Sequence, residues 1–188
     1  MPHELDPLES LSLGPSGPGP DLVRDALREL RKRYAARPFF ATRDVAWTLQ
    51  LWMIAAIAKR RLDLQVSSDH LLERGPERAR RADLALVDPK GRVDVALELR
   101  WEPDHRRPDL PTAKLPQVSW KAIVGDAQRV RRWVKDGRCA VGMSVFLDEA
   151  GYYRIREAPR GTTWQDWLDT GGAMLGSAVR RRSRRPRV

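Results

Sequence analysis

Two acidic residues on neighbouring predicted strands are the strongest candidates for chemistry in this sequence. Asp83 opens one apolar strand, and Glu98 and Arg100 lie two residues apart on the next, so these two share one face of it. The turn signal at residues 88–91 (Asp-Pro-Lys-Gly) predicts an antiparallel hairpin. Its register places Asp83 roughly opposite residues 96–97, which is one diagonal step from Glu98.

Two carboxylates this close repel each other unless a cation lies between them. Oxygen ligands of this kind select magnesium, manganese or calcium. A charged face on a strand can also be simply its solvated side. The apolar opposite face and the helices predicted on both sides favour a site, because buried charges are costly without a purpose.

Hydrophobic periodicity predicts the elements around this hairpin. The helices are expected at Asp21–Arg37, at Thr42–Arg60 with Thr42 as its cap and most of its surface buried, at Gln117–Asp136, and in a short segment from Thr163. The strands are expected at Leu62–Val66, Arg81–Val87, Arg92–Trp101, Arg138–Leu147 and Tyr152–Glu157. A helix between strands favours a parallel connection, so the fold class is α/β with a mixed central sheet flanked by helices.

The element order and the acidic pair together resemble the PD-(D/E)XK nuclease superfamily, which has a restriction-endonuclease-like αβββαβ core. That family has an Asp at the start of its second core strand, matched by Asp83. On the third strand it has Glu or Asp, any residue, then Lys, matched by Glu98 and, with a change of residue, by Arg100. The resemblance covers residues 42–147.

The resemblance implies a metal-dependent nuclease. Asp83, Glu98 and the backbone carbonyl of Leu99 would hold Mg²⁺ or Mn²⁺, which would polarise the scissile phosphate and supply a hydroxide from bound water. Asp44 stands where the family often has an acid on its first core helix. Lys121, on the helix after the third strand, is a substitute for the missing lysine if it points into the site, although a solvated helix face is the favoured interpretation.

Arg100 is the departure from the family pattern. Arginine stays protonated at neutral pH, so it cannot act as a base, but it can stabilise developing phosphate charge. Two interpretations stay open: a working variant of the site, or a decayed site retained for binding. The corresponding functions are hydrolysis of DNA, with RNA as the second choice, or an inactive module that binds nucleic acid or a partner protein.

The charge balance favours a polyanionic partner. The 188 residues include 35 Lys and Arg against 25 Asp and Glu, which gives a net charge of +10. A basic surface of this kind favours nucleic acid, with DNA as the first choice, over the alternative of simple solubility. The C-terminal arginines are candidates for phosphate contacts or a solubilising end: Arg180, Arg181, Arg182, Arg184, Arg185 and Arg187.

The chain length suits one domain with tails. We expect a disordered leader at 1–20, a single domain at 21–175 and a disordered basic tail at 176–188. A homodimer or a partner protein is left open.

Cysteine and histidine content limits the chemistry further. One cysteine, Cys139, excludes an internal disulfide and fits a reducing, cytoplasmic setting, and with three histidines it cannot make an ordinary structural zinc site. The longest apolar stretch, residues 51–58, is too short to span a bilayer, so no membrane partner is expected. Trp164 and Trp167 are expected to pack rather than stack on bases, and His105 is expected in a loop.

Overall fold

The computed structural model describes residues 16–36, 39–74, 79–110, 116–168 and 171–180. Its helices are α1 (Pro18–Arg33, continued by a 3₁₀ turn at Tyr34–Ala36), α2 (Thr42–Arg60) and α3 (Trp120–Lys135). Its strands are β1 (Gln65–Glu73), β2 (Arg80–Val87), β3 (Val93–Glu102), β4 (Val141–Asp148), β5 (Thr163–Asp166) and β6 (Ala173–Arg180).

These strands form one six-stranded mixed sheet in the order β1-β2-β3-β4-β6-β5. The β3–β4 pair is parallel and the other pairs are antiparallel. The connection between the two parallel strands is α3, as expected for a parallel crossover. The α/β class with helices flanking a mixed sheet is therefore confirmed.

The two faces of the sheet are covered by different helices. Apolar residues of α1 and α2 form the main core with one set of alternating β2, β3 and β4 side chains. The helix α3 covers the other face, where Val130, Trp133 and Val134 pack against Ala96 and Cys139. Glu98 and Arg100, on this second face of β3, contact charged side chains of α3.

Helix α2 begins and ends where the sequence predicts, but its cap and its burial differ. The carboxylate of Asp44 accepts the backbone N–H groups of Phe40 and Ala41, so Asp44 rather than Thr42 caps the helix. The hydroxyl of Thr42 instead accepts the N–H of Trp101 and ties α2 to β3. The prediction of a largely buried helix is wrong for one face, on which Trp47, Leu51 and Ile54 are exposed.

Three predicted segments differ from the observed elements. Strand β1 extends to Glu73, far beyond the predicted end at Val66. Residues 152–157 form turns rather than a strand, and Thr163–Asp166 is a strand rather than the start of a helix. Thr163–Asp166 is a strand because it pairs with β6, the next strand along the chain, and this cross-strand pairing overrides the local pattern that predicts a helix.

The predicted domain boundaries also shift. Helix α1 starts at Pro18, so the last residues of the predicted leader are helical, and Gly19 and Pro20 are buried. Strand β6 continues to Arg180, so residues 176–180 of the predicted tail belong to the sheet. Residues 1–15 and 181–188 lie outside the described part. Within the described part, no helix is long and apolar enough to cross a membrane.

Candidate acidic site beneath the third helix

A β-bulge brings the two predicted acids side by side. Val87 pairs with Val93, whereas Leu86 pairs with Val95, so Asp94 is an extra residue on β3. The shifted register continues to the pair Leu84–Leu97, and its next position sets Asp83 opposite Glu98. Without the bulge, the hairpin turn predicts that Asp83 lies opposite residues 96–97, before Glu98 on β3. The bulge is therefore what aligns the two carboxylates.

Asp83 is fixed to the backbone of the partner strand. Its Oδ2 accepts the N–H of Leu99 at 2.7 Å. Burial raises the pKa of Asp83, and the Leu99 hydrogen bond and the Arg100 guanidinium oppose that rise. The bond holds the carboxylate against the Leu99 peptide, whose carbonyl is the third ligand that the sequence analysis proposed.

Glu98 is almost fully buried, with 2% of its surface exposed. Its Oε2 lies 3.0 Å from Nη1 of Arg129 on α3. Its Oε1 is buried and has no hydrogen-bond partner among the described residues. Burial, with the neighbouring Asp83 charge, raises the pKa of Glu98 to about 8, because the Arg129 guanidinium only partly offsets them.

Arg100 is directed at α3 rather than at the acidic pair. Its Nε and Nη2 donate to Asp126 at 2.6 and 3.3 Å, a forked arrangement. Asp126 is 1% exposed, and its Oδ1 also lies 3.0 Å from Nη1 of Arg129. The Asp126 hydrogen bonds raise the pKa of Arg100 further above its ordinary value, so Arg100 is a permanent cation.

Asp126 and Arg129 are not among the site residues predicted from the sequence. The signal was present in the pattern of α3, because Asp126 interrupts a stripe of apolar residues that faces the sheet. A carboxylate in a buried stripe requires a cationic partner. Arg129 follows it by three residues, the spacing at which helical side chains meet.

A row of polar side chains continues from the acids into the sheet. Glu98 pairs with Ser144 of β4, and Ser144 pairs with Ser177 of β6. Paired residues point to the same face, so Glu98, Ser144 and Ser177 lie side by side across three strands. Both serines are buried, and Ser177 Oγ has no hydrogen-bond partner among the described residues.

The accessory residues predicted from sequence are not drawn to this site. Asp44 caps α2, as described above. Lys121 is exposed on the first turn of α3, and within the described residues no hydrogen bond or ion pair joins it to Asp83 or Glu98. His105 contacts Glu102 through its Nε2 at 2.5 Å.

The remaining aromatic and tail candidates are placed only in part. Trp167 is fully buried and Trp164 stacks on Trp120, in keeping with a packing role. Of the six C-terminal arginines, Arg180 ends β6 and is exposed. The other five lie outside the described residues.

The oxygen atoms of Asp83, Glu98 and the Leu99 carbonyl suit a hard divalent cation that takes only a few of its ligands from the protein. Among the described residues, no group of three or more His, Cys, Asp or Glu side chains is arranged to hold a metal ion. Asp83, Glu98 and the Leu99 carbonyl supply only two such side chains, a number typical of magnesium sites that keep several waters. The orphaned buried Oε1 of Glu98 is the atom that such an ion would satisfy.

A scan against protein-family models gives no match for this sequence, and a search of curated proteins gives no significant match. The functional argument therefore depends on the geometry and electrostatics of this chain.

Proposed function

We propose that this protein is a metal-dependent nuclease that hydrolyses phosphodiester bonds in DNA, with RNA as the second choice. The observation that supports it best is Glu98, a buried carboxylate beside Asp83 with a pKa of about 8 and an oxygen without a partner. A group held in this costly state is typical of a functional site. A divalent cation would relieve the repulsion between the two carboxylates.

Asp83 and Glu98 would hold Mg²⁺ or Mn²⁺, with the Leu99 carbonyl as a third ligand. When bound, the ion supplies Lewis-acid activation of a phosphate and a water of lowered pKa. The hydrogen bond from the Leu99 N–H orients Asp83 for this role. The PD-(D/E)XK resemblance agrees with this arrangement of acids.

Arg100 and Arg129 would provide positive charge beside the acids. Both are partly exposed, with 36% and 32% of their side chains accessible, and both are anchored on buried Asp126. A guanidinium held in place by a carboxylate stabilises charge developing on a phosphate without losing its proton. This assigns Arg100 to electrostatic stabilisation rather than to proton transfer.

A second function is favoured by one contact. Arg129 already places a positive charge 3.0 Å from Glu98 Oε2, where a bound cation would otherwise balance it. An internal cation of this kind suits a nuclease-like module that binds nucleic acid or a partner protein without cleaving it.

The test compares wild type with Glu98→Gln, a change that keeps the shape of the side chain and removes its charge. If the site holds Mg²⁺ or Mn²⁺, either ion raises the melting temperature of wild type, because it binds only the folded state. Glu98→Gln abolishes that rise together with cleavage of DNA. Glu157→Gln, an exposed glutamate outside the site, is the matched control and retains both.

Two results would count against the nuclease. Metal-dependent cleavage that survives Glu98→Gln would place the activity elsewhere. A wild-type protein that binds DNA but neither cleaves it nor responds to the two ions would support the inactive binding module.

A further inference from the structure

A second region of the molecule, an open groove of about 1430 Å³, lies at the C-terminal end of α3. Four segments line it beside the end of α3. They are the β2–β3 turn, the start of β3, the loop between α3 and β4, and the end of β6. Its basic lining residues are Arg92, Arg131, Lys135, Arg138 and Arg180. None of them belongs to the acidic site.

The groove carries more positive charge than its own acids balance. Arg92 is paired with Asp88 at 2.6 Å, and Arg180 lies close enough to Asp94 to lower that carboxyl's pKa against the stronger effect of burial. Within the described residues, no salt bridge joins Arg131, Lys135 or Arg138 to an acidic side chain. Three cations from α3 and the following loop therefore face the groove with their charge available.

The conformation of a neighbouring loop keeps Arg131 in place. Gly161 has a φ of +69°, and a Cβ there would come within 2.5 Å of Arg131 Nη2. Only glycine adopts this conformation readily and leaves this space. The guanidinium is thus packed against Gly161, next to the smaller pocket that Arg131 lines with residues 157–160, so its position at the edge of the groove is fixed by the fold.

The groove lies within reach of the acidic site. Arg129 and Lys135 are six residues apart on α3, about 9 Å along the helix axis. Glu98 and Asp94 are four residues apart on β3, about 13 Å. At a rise of about 3.4 Å per base on one strand, these two distances between the acidic site and the groove correspond to about three or four base steps of DNA.

We propose that this groove binds backbone phosphates of nucleic acid three or four base steps from the bond at the acidic site. The inference deepens the proposed function, on which it depends for the position of that bond. Arg131, Lys135 and Arg138, which have no acidic partner in the part of the chain that the structure describes, provide the charge, and the concave surface provides the shape. Strand β6 ends at the groove with Arg180, which adds a further guanidinium to its lining.

The experiment measures binding of the full-length chain to a fluorescent 20-base-pair DNA duplex, with EDTA present so that cleavage and the metal site play no part. The groove variant is Lys135→Gln combined with Arg138→Gln. The matched control is Lys59→Gln combined with Arg61→Gln, an exposed pair at the end of α2 with the same loss of charge. Each protein is titrated at several salt concentrations.

The groove variant lowers the slope of log K against log salt by about 1.8, because each lost contact to duplex phosphate is worth about 0.9. The control leaves the slope within about 0.3 of wild type, on the same scale. Equal slopes for the groove variant and the control would overturn the proposal. Circular dichroism spectra and melting temperatures of both variants verify that they fold.

A free nucleotide presents the same phosphate chemistry, and a competition with ATP separates the two sources. If the groove takes nucleic acid, ATP displaces the duplex only at millimolar concentration. Micromolar displacement by ATP, with a duplex slope that the groove variant does not change, would assign the groove to a small phosphate ligand instead. Because EDTA is present, failure of the metal test at Glu98 leaves this result intact, and the two proposals fail separately.

Discussion

Glu98 and Glu102 lie on the same face of strand β3 but have different environments. Glu102 is fully buried, and its two carboxylate oxygens accept the N–H groups of Gln117 and Val118 at 3.0 and 2.7 Å and contact His105. Glu98, four residues earlier, is buried to nearly the same extent, but it has one guanidinium and one oxygen without a described partner. Burial alone therefore does not distinguish the two.

The difference separates a carboxylate that stabilises the fold from one that the described residues leave partly unsatisfied. Glu102 binds the loop that returns to α3 and so stabilises the fold through charge-assisted hydrogen bonds. Glu98 costs stability, because its pKa is raised to about 8 and no group among the described residues fully compensates the burial. Residues maintained against stability are typical of sites that bind something.

Glu102→Gln is expected to cause the largest loss of stability. The amide cannot accept all the donors that now converge on the carboxylate, and its own NH₂ faces backbone N–H groups, so the free energy of unfolding falls by about 3–5 kcal/mol. Urea denaturation at pH 7 measures it. Glu157→Gln serves as control, with a change within about 0.5 kcal/mol. A Glu102→Gln protein as stable as wild type would remove the contrast between the glutamates.

Glu98→Gln, unlike Glu102→Gln, is expected to raise the free energy of unfolding at high pH. A carboxyl with a folded pKa near 8 and an ordinary value of 4.5 binds more protons folded than unfolded. Its stabilising contribution is complete below about pH 4.5 and is lost as the pH rises through about 8. Without added metal, the variant is therefore more stable than wild type at pH 9, by about 1–3 kcal/mol after the loss of the Arg129 contact.

Denaturation of both proteins at a series of pH values from 5 to 9 measures this effect. The difference in free energy of unfolding between Glu98→Gln and wild type should increase as the pH rises. A gap that does not depend on pH would mean that Glu98 is ionised throughout, satisfied by Arg129 in the way that Glu102 is satisfied by its donors.

Arg100 lies between the two glutamates and tests whether the site is active. Arg100→Lys replaces a forked contact to Asp126 by a single one, which costs about 1 kcal/mol of stability. In a working arginine site, cleavage also falls in Arg100→Lys and in Arg100→Ala. In a decayed site, Arg100→Lys restores the lysine of the family pattern and raises cleavage above wild type.

These alternatives are decided on single- and double-stranded DNA and RNA, each with Mg²⁺ and Mn²⁺. Activity confined to Arg100→Lys would identify wild type as a binding module. No activity in wild type or either variant would remove the support for a nuclease altogether.

Ser144→Ala is expected to give the smallest effect. The serine is the cross-strand neighbour of Glu98, but among the described residues no hydrogen bond joins the two side chains. Its replacement therefore changes the free energy of unfolding by less than about 0.5 kcal/mol and leaves the pH dependence that Glu98 causes unaltered. The same series of urea denaturations at pH 5 to 9 measures this, and a pH dependence that changes in Ser144→Ala would show that the hydroxyl interacts with the carboxyl.

The sequence was sufficient where structure is local. Helix α2 has the predicted bounds, and the β2–β3 hairpin follows from the apolar alternation on both sides of the turn at residues 88–91. Asp83 and Glu98 come from two strands joined by a short turn, so their closeness was predictable from the chain alone. Patterns of this type depend on neighbours in sequence, which the sequence displays directly.

The tertiary structure decided the rest. Thr163–Asp166 is too short for a periodic signal, and only its pairing with β6 makes it a strand. The extra residue Asp94 moves Glu98 by one position to stand beside Asp83, and no local pattern announces that bulge. Arg129 reaches Glu98 only because α3 packs across the sheet. The strand β5 and the bulge depend on cross-strand pairing within hairpins, whereas the contact of Arg129 with Glu98 depends on packing between segments far apart in sequence. Neither kind of contact leaves a mark on one segment alone, because a segment's own residue pattern does not encode its partner.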